Sequence, residues 1–372
     1  MDMKQAKRIF AMLLSVMLVF SLAGCGKKDT KDKNVFTEIS EMSDITKGKS
    51  DIEASIKVND KQDTLKSVLN TDTIKVKISS YAKDEKTMST EIQADIGSGY
   101  QSVTDVVLKG NVMYVNTSKI IKFIFPLLEN YAGKDTLKGL TADQVNLLIG
   151  SDYISFTEDD LKELSESTDK AKVDTDEMLK LSQKYQKVFA AAASVANDKV
   201  IPKINEVKDV LGKDGDNYTF TLNKDNAEAL IKKITEILND NGSDILNSFL
   251  DKIKDSLGEK DDLYKSIADK KSDIESKMKD LAKSLKGLDV SDFTKAEPKF
   301  ILSANTSGDK GKRKGEIKLT GFAKDDTTNV DFTISSKLDE GGEGSVDIPS
   351  NSVSYSDFSS KLGLDSSSSS TK

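Results

Sequence analysis

One thiol is available for chemistry in this chain, because Cys25 is the single cysteine among 372 residues. It could be a free thiol, a small core residue or a modification site, and its position decides among these. Cys25 directly follows Leu22, Ala23 and Gly24 and precedes the polar residues 26–28. A single cysteine forms no disulfide within the chain, so the fold must be stabilised by its core alone.

The residues before Cys25 predict a secretory signal peptide over residues 1–24. The start of the chain is basic, with Lys4, Lys7 and Arg8, and an apolar segment from Ile9 to Gly24 follows. A charged region, an apolar region and small residues before a cleavage site occur in this order in signal peptides. The apolar stretch is too short to be interpreted first as a transmembrane helix.

Leu22-Ala23-Gly24-Cys25 resembles the lipobox of bacterial lipoproteins. The resemblance implies that the sulfur of Cys25 receives a diacylglyceryl group, that the signal peptide is cut just before it, and that the new amino terminus is often acylated too. Each buried methylene contributes about 0.8 kcal/mol, so two or three acyl chains anchor a protein stably. The expected location is the extracytoplasmic face of the cell membrane, with residues 25–50 as lipidated anchor and flexible tether.

Composition excludes several classes of function. The chain has no histidine, which rules out Ser-His-Asp and Cys-His nucleophile systems, histidine general bases and His-ligated zinc. Carboxylate pairs, Ser-Lys dyads and oxygen-ligated calcium stay open, but no spacing identifies such a site. We therefore predict a non-enzymatic protein with no metal and no cofactor.

Net charge narrows the range of partners. The whole chain has a formal charge of −7, to which residues 1–24 contribute three basic and one acidic side chain. The mature part is therefore more acidic still. An acidic surface argues against nucleic acid as a partner and against electrostatic attachment to anionic lipid. Membrane attachment is then expected through the N-terminal lipid.

Alternation of apolar and polar residues predicts strands near both ends of the chain. Residues 51–117 contain five such segments, with Gly110-Asn111 as a hairpin turn before the last: Ile52–Val58, Ile74–Ile78, Ile92–Ile96, Gln101–Lys109 and Val112–Asn116. Residues 291–362 contain three more and a short helix: Lys299–Asn305, Gly315–Ala323, Asn329–Ser336 and Ser354–Leu362. The serine-rich residues 363–372 predict a disordered tail.

Residues 118–290 predict a long helix-rich insertion, because their apolar residues recur at helical spacing. The longest helix, from about Asp261 to Leu288, has a narrow apolar stripe. Packing in an intramolecular bundle is favoured for it, with binding to a partner as the alternative. The order of strands, helices and strands predicts an α+β fold in which a curved antiparallel sheet is built from both ends of the chain.

A curved antiparallel sheet covered by helices and tethered by lipid resembles the Lol-type lipoprotein carriers and the mycobacterial lipid-binding lipoproteins. The matching elements are residues 110–116, the strand pair 315–323 and 329–336, and Asp347-Ile348-Pro349. The resemblance implies a cavity for a hydrophobic ligand between sheet and helices. The helical insertion departs from the pattern, because it is much longer than in those carriers.

Two functions follow as hypotheses. In the first, the protein binds a lipid or other hydrophobic ligand between sheet and helices, with Phe123, Phe125, Phe189 and Phe249 as candidate contacts. A simple packed core would use the same residues. In the second, it is a structural or interaction lipoprotein of the cell envelope that binds a protein or cell-wall partner through its helical region.

Overall fold

The structure is a computed structural model that describes residues 33–43, 45–61, 66, 69, 71–84, 86–132, 141–160, 184–185, 187–188, 190–192, 194–287, 291, 297–324 and 328–362. Several sequence predictions lie outside the described residues. These are the signal peptide, the lipobox residues Leu22, Ala23, Gly24 and Cys25, the candidate contact Phe189, and the tail 363–372.

Within the described residues, twelve strands form one mixed, mostly antiparallel sheet. In chain order they are β1 (Gly48–Asp60), β2 (Thr73–Asp84), β3 (Thr87–Asp95), β4 (Gln101–Lys109), β5 (Val112–Asn116), β6 (Tyr153–Phe156), β7 (Leu211–Asp214), β8 (Asn217–Asn223), β9 (Lys299–Ser307), β10 (Lys314–Lys324), β11 (Thr328–Asp339) and β12 (Ser352–Ser354). Their order in the sheet is β12-β6-β5-β4-β3-β2-β1-β11-β10-β9-β8-β7.

The helices alternate with these strands along the chain. They are α1 (Val35–Ser43), α2 (Thr117–Ala132), α3 (Ala142–Ile149), α4 (Ile201–Ile204, preceded by the π-helical turn Ala196–Val200), α5 (Ala227–Leu257), α6 (Asp262–Ala268), α7 (Lys271–Lys286) and α8 (Tyr355–Leu362).

The α+β class and a sheet built from both ends of the chain are confirmed. All eight strands predicted near the two ends are present, and Gly110, with φ 62°, lies in the turn between β4 and β5. The helix-rich stretch 118–290 also contributes β6, β7 and β8. Its sequence predicts one hairpin, of Asn205–Leu211 and Asn217–Leu222, and β7 and β8 confirm it with the first strand at Leu211–Asp214, whereas β6 is not predicted. The strand β6 has only four residues, too few to show a clear alternation of apolar and polar side chains.

Contacts divide the chain into two compact units. Unit 1 consists of the described residues of Met1–Ile45, Ala54–Thr64 and Leu179–Asp339. Unit 2 consists of those of Thr46–Glu53, Leu65–Met178 and Glu340–Lys372. The strand β1 contributes residues to both units. This division differs from the consecutive segments expected from the sequence, because each unit combines early and late parts of the chain.

Unit 1 has an extended apolar core. Helices α1, α4 and α5 cover β8 and β9, and their buried side chains form one cluster that includes Phe36, Ile204, Leu222, Leu230 and Phe300. The ring of Phe36 lies 5.9 Å from that of Phe220, centroid to centroid. Burial of a large apolar side chain stabilises a fold by about 1.5–3 kcal/mol, so this cluster is the main source of stability in unit 1.

Helix α1 corrects the expectation of a flexible tether over residues 25–50. Val35, Phe36 and Met42 are fully buried in unit 1. The side chain of Asn34 caps the helix, since its Oδ1 accepts hydrogen bonds from the backbone N–H groups of Phe36 and Thr37 at 2.9 and 3.2 Å. The sequence does not predict this helix, because residues 26–34 and 44–50 on either side of it are polar. Its short apolar face becomes recognisable from its packing in the core of unit 1.

The buried carboxylate of Glu38 fixes α1 on the sheet. Lys33 Nζ lies 3.2 Å from Glu38 Oε1, and the hydroxyl of Thr306 on β9 donates to the same carboxylate. Burial would lower the pKa of Lys33, but the hydrogen bond and charge of Glu38 outweigh it and raise that pKa above its ordinary value. A buried charge needs such partners, and here they connect the start of the helix to a strand.

The long helix expected from Asp261 to Leu288 is two helices, α6 and α7, with a turn at residues 269–270 between them. The break falls where the apolar stripe contains Lys270 and Lys271, whose charged side chains cannot continue a buried seam. Helix α7 packs against α5, and the buried Gly242 of α5 makes room for the Met278 side chain. The stripe therefore packs within the bundle, as the favoured interpretation predicted.

We predict that Gly321→Ala destabilises unit 1 by about 1–3 kcal/mol, because it overpacks a filled site. Gly321 of β10 is paired with Phe332 on one side and Phe300 on the other. A Cβ there would lie 2.8 Å from Phe300 Cδ1 and closer still to the Phe332 ring. Urea unfolding of the purified chain measures the loss of free energy.

Gly287→Ala is the matched control for this experiment. A Cβ at Gly287 would lie an ordinary 3.7 Å from the carbonyl oxygen of Lys283, and the φ of this residue is −88°. Its free energy of unfolding should change by less than about 0.5 kcal/mol. Equal losses in the two variants would contradict the account of Gly321.

Candidate functional site

The structure separates the candidate contacts that the sequence suggested. Phe123 and Phe125 are half-buried on α2 in unit 2. Phe249 lies on α5 in unit 1 and packs against Val188, Ala191 and Ile253. Phe249 is therefore partly buried against a core cluster of unit 1, away from the two phenylalanines of α2.

Unit 2 buries few apolar side chains and exposes many. Among its described residues, the buried apolar side chains are Ala94, Val107, Ile149 and Ile154. Its exposed large apolar side chains are Ile52, Met88, Tyr100, Ile124, Leu128, Leu147, Leu148 and Ile348. The same comparison in unit 1 gives a large buried set and only Ile56, Tyr185 and Ile334 exposed. Within the described chain, unit 2 is thus the part in which more apolar side chains are exposed to water than are buried.

Helix α2 is the clearest example. It contains seven large apolar side chains, none of them buried: Ile120, Ile121, Phe123, Ile124, Phe125, Leu127 and Leu128. The helix packs on β4 and β6, and the Oδ1 of Asn116 caps its first turn by accepting a hydrogen bond from the Lys119 backbone N–H at 3.0 Å. One helix face on the sheet cannot bury residues that surround the helix axis.

Helix α3 contacts α2 and carries further exposed apolar side chains. It begins at a capping box formed by Thr141 and Gln144 and ends at Gly150, whose φ of 76° is a left-handed cap. Its Ile149 is buried, whereas Leu147 and Leu148 are 81% and 65% exposed. We call α2 and α3 together the apolar helix pair.

A second concave feature of unit 2 is a polar cleft of about 510 Å³ on the strands β1 to β4 and β6. Hydroxyl, phenol and carboxylate groups alternate along its lining, which includes Asp51, Ser79, Tyr81, Glu91, Tyr153 and Asp347. Its volume is in the range of about 300–1,000 Å³ that small-molecule sites occupy. Sequence reasoning missed this cleft, because its residues come from strands far apart in the chain.

Asp105 organises one wall of the polar cleft. Its Oδ2 lies 2.5 Å from Lys119 Nζ and accepts hydrogen bonds from the Tyr153 hydroxyl at 3.3 Å and from Asn116 Nδ2 at 3.4 Å. Burial raises the pKa of the Tyr153 phenol, a hydrogen bond with Asn116 lowers it, and the charge of Asp105 adds to the net rise. Tyr153 therefore stays a neutral hydrogen-bond donor at neutral pH.

Residues 341–350, which we call the strap, close one side of the cleft. The backbone of Gly344 lies against the ring of Tyr81, and Ser89 Oγ donates to the carbonyl of Ser345 at 3.3 Å. Beyond the strap, Ser151 Oγ donates to the Asn351 carbonyl at 2.9 Å. The strap is thus held on the sheet at both the cleft and its far end.

In the described residues, no helix is long and apolar enough to cross a bilayer, and no group of three acidic or cysteine side chains could hold a metal ion. In unit 1, Lys252 contacts the hydroxyl of Ser194 and lies 2.9 Å from Asp198. The Lys252 ammonium donates hydrogen bonds to the Ser194 hydroxyl and to the Asp198 carboxylate. Lys252 therefore links two helices through an ion pair and a hydrogen bond.

No protein-family model matches this chain, and no curated protein or solved structure matches it either. The fold and the two surfaces of unit 2 are therefore the basis for proposing a function. It is an α+β protein with a well-filled unit 1 and a unit 2 that carries an apolar helix pair and a polar cleft.

We predict that Gly344→Ala lifts the strap from the sheet. An added Cβ would lie 2.6 Å from Tyr81 Cγ, inside van der Waals contact with a ring that is part of the cleft wall. The cost should be about 1–3 kcal/mol in the free energy of unfolding, together with faster proteolysis within residues 341–350.

A double-mutant cycle with Tyr81→Ala identifies the cause. Because removal of the ring leaves room for the new methyl group, Gly344→Ala should cost less in the Tyr81→Ala background. If the two costs simply add, the contact between Gly344 and Tyr81 does not position the strap.

Proposed function

We propose that this protein is an exported lipoprotein, anchored through Cys25 to the extracytoplasmic face of the cell membrane, whose unit 2 binds the acyl chain of a lipid on the apolar helix pair. The observation that supports this most directly is the unburied apolar surface of α2 and α3. Phe123 and Phe125, suggested by sequence as ligand contacts, are half-buried side chains of the same helix α2. The proposal needs no catalytic group and no cofactor.

Physical chemistry favours an apolar occupant. Each leucine or isoleucine that becomes buried contributes about 1.5–3 kcal/mol, so the exposed side chains of the helix pair represent a large unused driving force. Several exposed large apolar side chains on two helices that contact each other are typical of ligand or membrane contact sites. An acyl chain can cover such a surface because it is flexible and makes no demand for hydrogen bonds.

The anchor would keep the protein close to such a ligand. Helix α1 is docked in unit 1 from Val35 onward, only ten residues after Cys25. Ten residues span at most about 33–36 Å even when fully extended. A lipid on Cys25 would therefore hold unit 1 within that distance of the bilayer surface, where acyl chains are available.

We predict that Cys25→Ser releases the protein from the membrane and abolishes its acylation, since the hydroxyl replaces the sulfur that would carry the lipid. Membrane fractionation and mass spectrometry of the mature amino terminus provide the measurement. Gly26→Ala, one residue beyond the lipobox, is the control and should stay in the membrane fraction. If the Cys25→Ser protein were still acylated and bound to the membrane, the proposal that Cys25 carries the lipid anchor would be wrong.

We predict that purified protein releases lipid on organic extraction and binds cis-parinaric acid, detected by its fluorescence. The double variant Leu147→Ser/Leu148→Ser should bind the probe at least tenfold more weakly, because about 3 kcal/mol or more of apolar burial is lost. Both leucines are exposed, so the free energy of unfolding should change little.

Ile334→Ser in unit 1, where the side chain is 44% exposed, is the matched control and should bind the probe normally. A wild-type protein without extractable lipid or parinarate binding would contradict the proposed ligand. Equal binding by the leucine variant would instead show that the ligand lies away from the helix pair.

A further inference from the structure

We propose that the polar cleft of unit 2 is a binding site for a neutral carbohydrate, separate from the apolar helix pair and independent of the acyl-chain proposal. The cleft is concave, its volume of about 510 Å³ suits one or two sugar rings, and its lining combines three kinds of group. These are carboxylates, hydroxyls and apolar or aromatic side chains. Each kind meets a different part of a sugar.

The hydrogen bonds among the side chains of the cleft indicate which hydrogen-bonding groups a ligand should have. Ser79 Oγ donates to Asp51 at 2.6 Å, Gln93 Nε2 donates to Glu91 at 3.0 Å, and Ser345 Oγ donates to Asp347 at 3.0 Å. A carboxylate has about four acceptor positions, and each of these three uses one. Acceptor positions therefore remain on Asp51, Glu91 and Asp347, and a ligand rich in hydrogen-bond donors, as sugar hydroxyls are, can use them.

Aromatic side chains in the cleft are suited to the faces of a sugar ring. Tyr81 and Tyr153 are part of the lining and present apolar ring atoms beside the polar groups. The C–H groups on the faces of a pyranose pack against such atoms while its hydroxyl edges reach the carboxylates. A simple alkyl chain would cover the remaining acceptor positions of those carboxylates without donating to them, which is unfavourable.

The lining has a net negative charge, because Asp51, Glu91, Asp105 and Asp347 outnumber its basic groups, and this disfavours an anionic ligand. Asp105 is paired with Lys119, and Lys49 adds an ammonium group to the lining. The strap supplies Ser345 and Asp347, so a bound sugar would contact both the sheet and the strap. Binding should therefore also slow proteolysis of residues 341–350.

The test is a printed array of neutral oligosaccharides probed with the full chain, followed by calorimetric titration of the sugars that bind. We expect at least one neutral sugar to bind the wild type, with at least tenfold weaker binding by Asp51→Asn and by Glu91→Gln. Glu53→Gln is the matched control, because Glu53 lies on the same strand as Asp51 and pairs with Lys77 outside the lining. It should bind normally.

Three results would overturn the proposal: no neutral sugar on the array bound by the wild type, equal binding by Asp51→Asn and Glu53→Gln, or binding of spermidine alone. The last result would show that the cleft recognises cationic charge. None of these results bears on parinarate binding by the helix pair, so the two proposals fail separately.

Discussion

Apolar burial is the constraint on which the rest of this structure depends. With a single cysteine the chain forms no internal disulfide, so side-chain packing must supply the stability of the fold. That packing is concentrated in unit 1, where helices α1, α4 and α5 cover the strands β8 and β9. Unit 2 forms its strands and helices with few buried apolar side chains. Its elements are held mainly by backbone pairing and polar contacts, and this leaves both of its surfaces available for binding.

The two surfaces of unit 2 share one polar connection. Asp105 forms one wall of the cleft through Tyr153 and at the same time pairs with Lys119 in the first turn of α2. The start of the apolar helix pair is therefore fixed by a residue of the polar cleft. Such a network keeps the helix in place on the sheet although its apolar residues contribute little buried surface.

The N-terminal region has a more definite role than a flexible connection. Residues that look polar and irregular in sequence include a helix, α1, whose Val35 and Phe36 are part of the core of unit 1. The buried Glu38 is held by Lys33 and Thr306, so the helix is connected to β9 as well as packed on it. A lipid at Cys25 would then be joined to the folded body by a short segment.

The α+β class and most of the sheet could be predicted from the sequence, because alternation in segments such as Gln101–Lys109 is a local property. The residues Leu22 to Cys25 likewise predict an anchor without any fold. The tertiary structure decided which elements pack together and which distant residues meet, because a local sequence pattern contains neither property. It placed Phe249 beside the buried residues Val188, Ala191 and Ile253 of unit 1, and Phe123 and Phe125 on α2 of unit 2. It also brought Asp51, Glu91 and Asp347 to one cleft, because strand pairing joins residues that lie far apart along the chain.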